Sequence, residues 1–464
     1  MLEGPIPDGF GKIMSSLKFL ELYSNKLKGK IPASLGFLYQ LQSLRLDNNY
    51  LEGDINEMHL TNLSQLIELD LSDNSLSVKF ATTWIPPFQL LKLGLACCKL
   101  GPSFPSWLQG QSQLEYLDIS DAGIDDFVPY WFWNNLQFIS KMNMSYNNLK
   151  GVIPNSTMKY VDDGPDVIIL SSNELEGVIP GFLQHVDTLD LSKNKFSNLN
   201  TLLCENRVTA KIWTLDLSNN QIAGQLPECW EHLSSLKFLD LRNNKLSGKI
   251  PQSMGALVHL KALVLRNNNL IGELPLTLKN CSDLVLLDVG KNLLSGQISS
   301  WIGESMRKLK ILSMRVNGFS GSVPVHLCYL RHLQVLDLSR NSLSGKFPTC
   351  LRNFSALMER SVLPMAMVRK RRIPYSALIY DSYLLLQWKG QDHEFRSPEN
   401  LLKSIDLSSN NLTGELSKDI GYLVGLVSLN LSRNNFHGEI PSEFGNLSSL
   451  EFLQLLPTLI VLVC

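Results

Sequence analysis

The chain has 464 residues and a formal net charge of −1, with acids and bases in near balance. That balance supplies no global pull toward nucleic acid or an anionic membrane. Its eight cysteines include no C-x-x-C pair, so they fit neither a disulfide-dense mini-scaffold nor a zinc framework.

Taken from the N-terminus, one phrase returns throughout. It is clearest in the middle, where Leu215-Asp216-Leu217-Ser218-Asn219-Asn220 is followed by Leu239-Asp240-Leu241-Arg242-Asn243-Asn244 and Leu263-Val264-Leu265-Arg266-Asn267-Asn268. The closing position falls at Asn25, Asn49, Asn74, Cys98, Ala122, Asn147, Asn173, Asn194, Asn220, Asn244, Asn268, Asn292, Asn317 and Asn341, then at Asn410 and Asn434. A fixed period in this range with L-x-x-L-x-L-x-x-N is the signature of a leucine-rich-repeat solenoid. The L-x-L alternation predicts a strand with Leu239 and Leu241 turned inward and Asp240 and Arg242 outward. The asparagine amide both donates and accepts, so it can satisfy backbone groups where the chain leaves the strand. Cys98 is an acceptable variant there, whereas Ala122 predicts a locally weaker coil. After the asparagine comes x-L-x-G-x-I-P, as in Leu246-Ser247-Gly248-Lys249-Ile250-Pro251. Its glycine permits positive φ and its proline restricts the preceding residue. The predicted fold is an α/β leucine-rich-repeat solenoid, and its G-x-I-P variant resembles the plant-type class. A curved parallel sheet forms its concave face, and 3₁₀ or short helical segments form its convex face.

In chain order, residues 1–356 carry about fourteen coils. The spacing loosens between Asn147 and Asn220, which predicts a local irregularity rather than a domain boundary. Residues 357–400 form an inserted island with the basic run Arg369-Lys370-Arg371-Arg372 followed by Tyr375, Tyr380, Tyr383 and Trp388. The repeat resumes over 401–464, where the last coil decays. The chain opens in mid-coil and neither end shows a polar cap, a signal peptide or a membrane-spanning stretch, so a fragment of a longer protein is expected.

Enzyme motifs are missing: no P-loop, kinase signature, H-E-x-x-H or G-x-S-x-G occurs, so no catalytic residues, metal or cofactor are expected. Recognition is the alternative, and solenoids use their concave face for it. Arg242, Arg266, Lys291, Arg315 and Arg340 read as a basic column beside an acidic column of Asp240, Asp288 and Asp337. Such columns either line a charged groove or screen one another. Phe19, Tyr23, Tyr116, Trp213 and Phe238 read as exposed aromatics, suited to anchoring a partner or to packing on a neighbour. Trp84, Trp107, Trp131, Trp133, Trp230 and Trp301 fall outside the strands and should pack the coil backs. Cys204 with Cys229, and Cys328 with Cys350, come from adjacent coils on the convex side, where bridging is possible. The alternative is free buried thiols, the reading given to Cys97, Cys98 and Cys281. Eight N-x-[ST] sequons, at Asn62, Asn143, Asn155, Asn280, Asn353, Asn411, Asn430 and Asn446, point to a secretory route.

Further segments carry a family resemblance: Gly272-Glu273-Leu274-Pro275 with Lys279-Asn280-Cys281, then Ser300-Trp301-Ile302-Gly303, Leu327-Cys328-Tyr329-Leu330, Trp388-Lys389-Gly390, Lys403 through Asn410 and Gly425 through Asn434. With these the chain resembles a plant leucine-rich-repeat receptor-like protein of the ethylene-inducing-xylanase receptor type. The resemblance implies an ectodomain on the outer side of the plasma membrane, held by one transmembrane helix outside this chain and lacking a kinase domain. It implies a protein, peptide or glycan elicitor as ligand and a leucine-rich-repeat co-receptor kinase as partner. It also implies a role in defence or developmental signalling. A secreted inhibitor of cell-wall-degrading enzymes is the other reading. On the first, the island residues Tyr380, Tyr383 and Trp388 and the five basic residues are the expected contact groups.

Overall fold

In a computed structural model, the structure describes residues 1–155, 166–205, 210–360 and 403–455, together with the strand backbones of 384–388, 391–395 and 459–460. The described chain divides into two compact units, Met1–Ile222 and Ala223–Cys464. Both are leucine-rich-repeat stacks of parallel strands.

Each coil contributes one three-residue strand to an inner sheet. In the first unit these strands are Phe19–Glu21, Ser43–Arg45, Glu68–Asp70, Lys92–Gly94, Tyr116–Asp118, Lys141–Asn143, Val167–Ile169, Thr188–Asp190 and Thr214–Asp216. They pair in unbroken parallel register, including the stretch from Lys141 to Asp216 where the spacing loosens. In the second unit they are Phe238–Asp240, Ala262–Val264, Leu286–Asp288, Ile311–Ser313, Val335–Asp337, Ser404–Asp406, Ser428–Asn430 and Phe452–Gln454. Val335–Asp337 pairs directly with Ser404–Asp406, so the insertion interrupts the sequence without interrupting the sheet. The chain reaches it through a helix, Ser355–Met358, whose Leu357 is buried and accepts a backbone bond from Gly425. Residues 357–360 therefore belong to the stacked coils.

The central residue of each strand points into the core: Leu239, Leu263, Leu287, Leu312 and Leu336 are all buried. At each strand's end the chain turns through a left-handed residue, with φ between 51° and 60° at sixteen positions from Ser24 to Arg433. Asparagine, aspartate and serine hold several of these, and polar side chains tolerate that conformation best. The asparagine follows, and it ties two coils together. Asn268 Nδ2 donates to Leu265 O in its own coil and to Leu241 O in the preceding one, both at 3.0 Å, while its Oδ1 accepts from Leu246 N at 3.0 Å. The same arrangement recurs at Asn49, Asn74, Asn173, Asn194, Asn292, Asn410 and Asn434.

Cys98 keeps part of this role, with its Sγ 3.4 Å from Leu71 O. The coil of Ala122 is not left with orphaned groups. Leu100 N and Gly101 N turn to Ala122 O, and Ala122 N donates to Asn147 Oδ1. Backbone groups thus stand in for the missing amide.

Beyond the asparagine the structure adds something the repeat pattern did not suggest: a second parallel strand in most coils. In the second unit these strands run from Ala223–Gln225 through Lys245–Gly248 to Asn435–Gly438 and 459–460 as one nine-stranded sheet. The G-x-I-P glycine is the last or next-to-last residue of each strand that carries it. Gly248 has φ of 74°, and a Cβ there would lie 2.8 Å from Gln225 Cγ. The backs of the coils are 3₁₀ segments with five short α-helices among the described residues. Trp133 and Trp230 are fully buried there, and Phe80, Trp84, Phe88 and Trp107 form an aromatic cluster.

Two stability predictions follow from this geometry. Asn268→Ala strands Leu246 N away from water, leaves Leu241 O with the Asn244 bond alone, and should cost about 1–3 kcal/mol in a urea titration. Val316 sits at φ 52°, where a β-branched side chain is strained. Val316→Asn should therefore raise the urea midpoint, by roughly 1 kcal/mol of stability.

Candidate functional site

The first and third residues of every inner strand turn away from the core and form the inner face. In the second unit the strand register stacks the first residues as Phe238, Ala262, Leu286, Ile311 and Val335. With Val264 they form one apolar cluster, all buried. Phe238, expected as an exposed aromatic, is only 6% exposed for this reason. The third residues stack as Asp240, Val264, Asp288, Ser313, Asp337, Asp406 and Asn430.

The five basic residues do not make one column. Arg242, Arg266 and Arg315 lie two residues beyond the third strand position. Lys291 and Arg340 lie one residue later, at the left-handed turn, with φ of 52° and 54°. Arg266 and Arg315 are also closed off, 3% and 2% exposed, amid the buried aspartates. Arg242 Nε lies 3.2 Å from Asp240 Oδ2, and Arg315 Nε lies 3.6 Å from Asp337 Oδ2. The two arginines are thus part of the sheet's internal charge balance. Arg340 is exposed and Lys291 half-buried.

The aspartates are pinned by the turn they precede. Asp240 Oδ1 accepts from Arg242 N, Asp288 Oδ1 from Gly290 N and Asp337 Oδ1 from both Ser339 N and Oγ. Asp406 accepts from Ser408 N and, through Oδ2, from Asn430 Nδ2 at 3.2 Å. Asp337 and Asp406 stand opposite one another across adjacent strands. Burial, then the charge of Asp406, pushes the Asp337 carboxyl up, against Arg315 and the Ser339 bonds. Burial also raises Asp406.

The first unit presents a different inner face. Phe19 is 58% exposed and Trp213 48% exposed, while Tyr116 is half-buried. Tyr23 carries the Arg45 guanidinium 4.2 Å over its ring, and Arg45 also meets Asp47 at 3.4 Å. Burial and the neighbouring Asp70 push Asp47 up to about 6, offset by Arg45. This cluster escaped the sequence reading, although Arg45 and Asp47 occupy the same repeat positions as Asp240 and Arg242. Tyr380 and Tyr383 lie outside the described residues. Trp388 ends a strand, Leu384–Trp388, paired antiparallel with Gln391–Phe395, and its side chain lies outside the described set.

Cys328 and Cys350 are joined, with Cα atoms 6.0 Å apart. Cys204 and Cys229 are both disulfide-bonded as well. Cys98 and Cys281 are buried free thiols, pushed up to about 12 by burial. Cys97 is no core residue: it occupies the left-handed turn at φ 60°, with its Sγ 3.3 Å from Asp73 Oδ1. Among the described residues no cluster of metal ligands is present, and no helix is long and apolar enough to cross a membrane.

The carboxyl pair yields a pH prediction. Between the ordinary carboxylate value of 3.8 and the raised one, the folded state holds more protons than the unfolded state. Stability should then fall as pH rises through that window. Asp406→Asn removes the like charge facing Asp337, so urea midpoints measured from pH 4 to 8 should decline less steeply than in the wild type.

Known proteins share this architecture. Leucine-rich-repeat family models match residues 210–270 and, separately, 16–38, 332–354, 401–423 and 425–447. The receptor-like proteins EIX2 and EIX1 of Solanum lycopersicum are each 45% identical, over 379 and 381 residues. Those alignments take in 81% of this chain but 37% and 36% of the relatives, so the chain spans well under half their length. Among solved structures, the Arabidopsis receptor kinase HAESA, in complex with the peptide hormone IDA and the co-receptor SERK1, is 27% identical. Its TM-score is 0.70, over 99% of this chain and 72% of HAESA. The peptide hormone receptor RGFR1 with RGF2 is 26% identical, with a TM-score of 0.71 over 99% of this chain and 69% of that one. The chain is a plant leucine-rich-repeat protein of the receptor-like-protein family.

Proposed function

We propose that this chain is the recognition surface of a plant cell-surface receptor-like protein, acting outside the plasma membrane in defence or developmental signalling. In this reading its signalling passes through a partner kinase. The observation that carries this reading is the 45% identity to two tomato receptor-like proteins across four fifths of the chain. The HAESA structure, which holds a peptide and a co-receptor together, supports a protein, peptide or glycan elicitor and a leucine-rich-repeat co-receptor kinase as partners.

The accessible groups flanking the inner strands suit that role. Trp213 supplies a rigid, amphipathic anchor, and such residues dominate binding energy at interfaces. Arg340 and Lys291 supply orientation and association rate more than affinity. Binding of a SERK1-type co-receptor ectodomain, titrated with and without elicitor extract, tests the assignment. Trp213→Ala should weaken binding about tenfold, a loss of about 1.4 kcal/mol, at any salt. Arg340→Ala should weaken it less, and only at low ionic strength. No binding by the wild-type chain in either condition would remove the proposal.

A further inference from the structure

Six of the eight sequons fall into two structural kinds. Asn143 and Asn430 are third residues of inner strands. Asn143 Nδ2 points to Asp118 Oδ2 at 3.3 Å, and its Oδ1 accepts from Ser145 N and Oγ at 3.1 and 2.7 Å. Asn430 repeats this with Asp406 and Ser432. In both, the sequon's own serine and asparagine are consumed in the sheet. Asn411 lies in an outer strand and accepts from Asn435 Nδ2.

Asn62, Asn280, Asn353 and Asn446 are of the other kind. Each is exposed, has an exposed serine two residues on, and directly precedes a buried residue at the back of its coil: Leu63, Cys281, Phe354 and Leu447. The same position in the coil before three of them holds an exposed aromatic. Phe37 precedes Leu38 one coil before Asn62, Tyr329 precedes Leu330 one coil before Asn353, and Tyr422 precedes Leu423 one coil before Asn446. A cation from the coil before that covers each ring: Lys12 over Phe37 at 5.8 Å, Arg307 over Tyr329 at 5.2 Å and Arg352 over Tyr422 at 5.2 Å. The series cation, aromatic, sequon thus occurs three times in successive coils. Asn280 breaks it, because Ala256 stands where the ring would be.

The third example shows a seat. A groove of about 320 Å³ beside Tyr422 is lined by Lys418, Asp419, Gly421, Tyr422, Glu443 and Asn446. Asp419 is held by Arg352 at 3.0 Å, so the same guanidinium fixes both the ring and the groove wall. Tyr422 remains half exposed and shares the groove lining with Asn446.

We propose that Asn62, Asn353 and Asn446 carry N-glycans whose first N-acetylglucosamine lies against Phe37, Tyr329 and Tyr422, and that Asn280 carries a glycan without such a seat. The inference goes beyond the recognition reading and concerns a different face of the coils. In the transfer, Asn Nδ2 attacks C1 of a lipid-linked oligosaccharide. The N–C1 bond forms, the C1–O bond to the lipid pyrophosphate breaks, and the amide gives up one proton. The apolar C–H face of the sugar then covers the ring and removes apolar surface from water. Transfer precedes folding, so a glycan on Asn143 or Asn430 would meet a strand that must close against Asp118 or Asp406. Such molecules should fail to fold.

The test expresses the full chain behind a cleavable secretion leader in cells that make oligomannose glycans. The leader makes the outcome independent of the chain's native route, so a failure here leaves the recognition proposal standing. The native protein is treated with an endoglycosidase that cuts between the two core sugars, and each site is followed by peptide mass. All four back-of-coil sites should be occupied in secreted protein. Asn280 should be trimmed several-fold faster than Asn62, Asn353 and Asn446, and denaturation should abolish the difference. Tyr422→Ala should bring Asn446 alone to the Asn280 rate, while Tyr422→Phe should keep it slow. A general fold defect would instead accelerate Asn353 as well. Asn143 and Asn430 should be bare in secreted protein and modified only in the retained pool. Equal native trimming at all four sites, an empty Asn446, or an Asn446 rate untouched by Tyr422→Ala would overturn the proposal.

Discussion

A coil of this chain cannot satisfy its own backbone. Where the strand ends in a left-handed turn, amides such as Leu246 N have no partner in their own coil, and carbonyls such as Leu241 O receive there only the bond from Asn244 Nδ2. The asparagine of the next coil serves both, through one side chain. Buried backbone groups left unpaired cost free energy comparable to a lost hydrogen bond, so each coil requires its successor. The leucine core adds to this requirement, because one coil's leucines stay exposed until another coil covers them. The same constraint explains how the insertion is tolerated. Asn410 Oδ1 receives Leu343 N across 67 residues of sequence as Asn434 Oδ1 receives Leu412 N across 22. What the stack needs is the next asparagine in space.

Fixing the turn also fixes the surface. Because the strands are three residues long and in register, residues of equal repeat position form rows down the sheet. On the inner face of the second unit one row is apolar, and the next alternates aspartates with arginines reaching back from the turn. Arg315 is buried and Arg242 partly so, and their charge is spent on Asp337 and Asp240. In the first unit Phe19, the first residue of its strand, and Trp213, which directly precedes Thr214–Asp216, are exposed. Outward-facing positions therefore serve two purposes, internal charge balance in one stretch and accessible surface in another.

The repeat was legible because its causes are periodic. The leucines and the asparagine recur where the core and the turn demand them, so the strands, their parallel register and the packing role of Trp133 and Trp230 could be read directly. Other features depend on what a position faces, which period alone does not report. Phe238 looked like an exposed ring because its strand alternation turns it outward, yet it packs with Ala262, Leu286 and Ile311 from neighbouring coils. Lys291 and Arg340 looked aligned with Arg242, but the left-handed turn separates the two positions. The outer strand after the asparagine was hidden by a glycine-rich motif that reads as a turn. Ala122 looked like a defect, and the rerouted bonds of Leu100 and Gly101 show how the backbone absorbs it.

The central claim is that asparagine amides, acting between coils, hold the stack together. Site-resolved hydrogen exchange measures this most directly. Leu51, Leu246, Leu270 and Leu412 each donate their backbone N–H to the asparagine Oδ1 of the following coil. The account predicts that these amides exchange as slowly as the inner-strand amides, and that Asn292→Ala speeds exchange at Leu270 before Leu246. Exchange of the four amides at the rate of exposed loop residues in the folded wild type would contradict it.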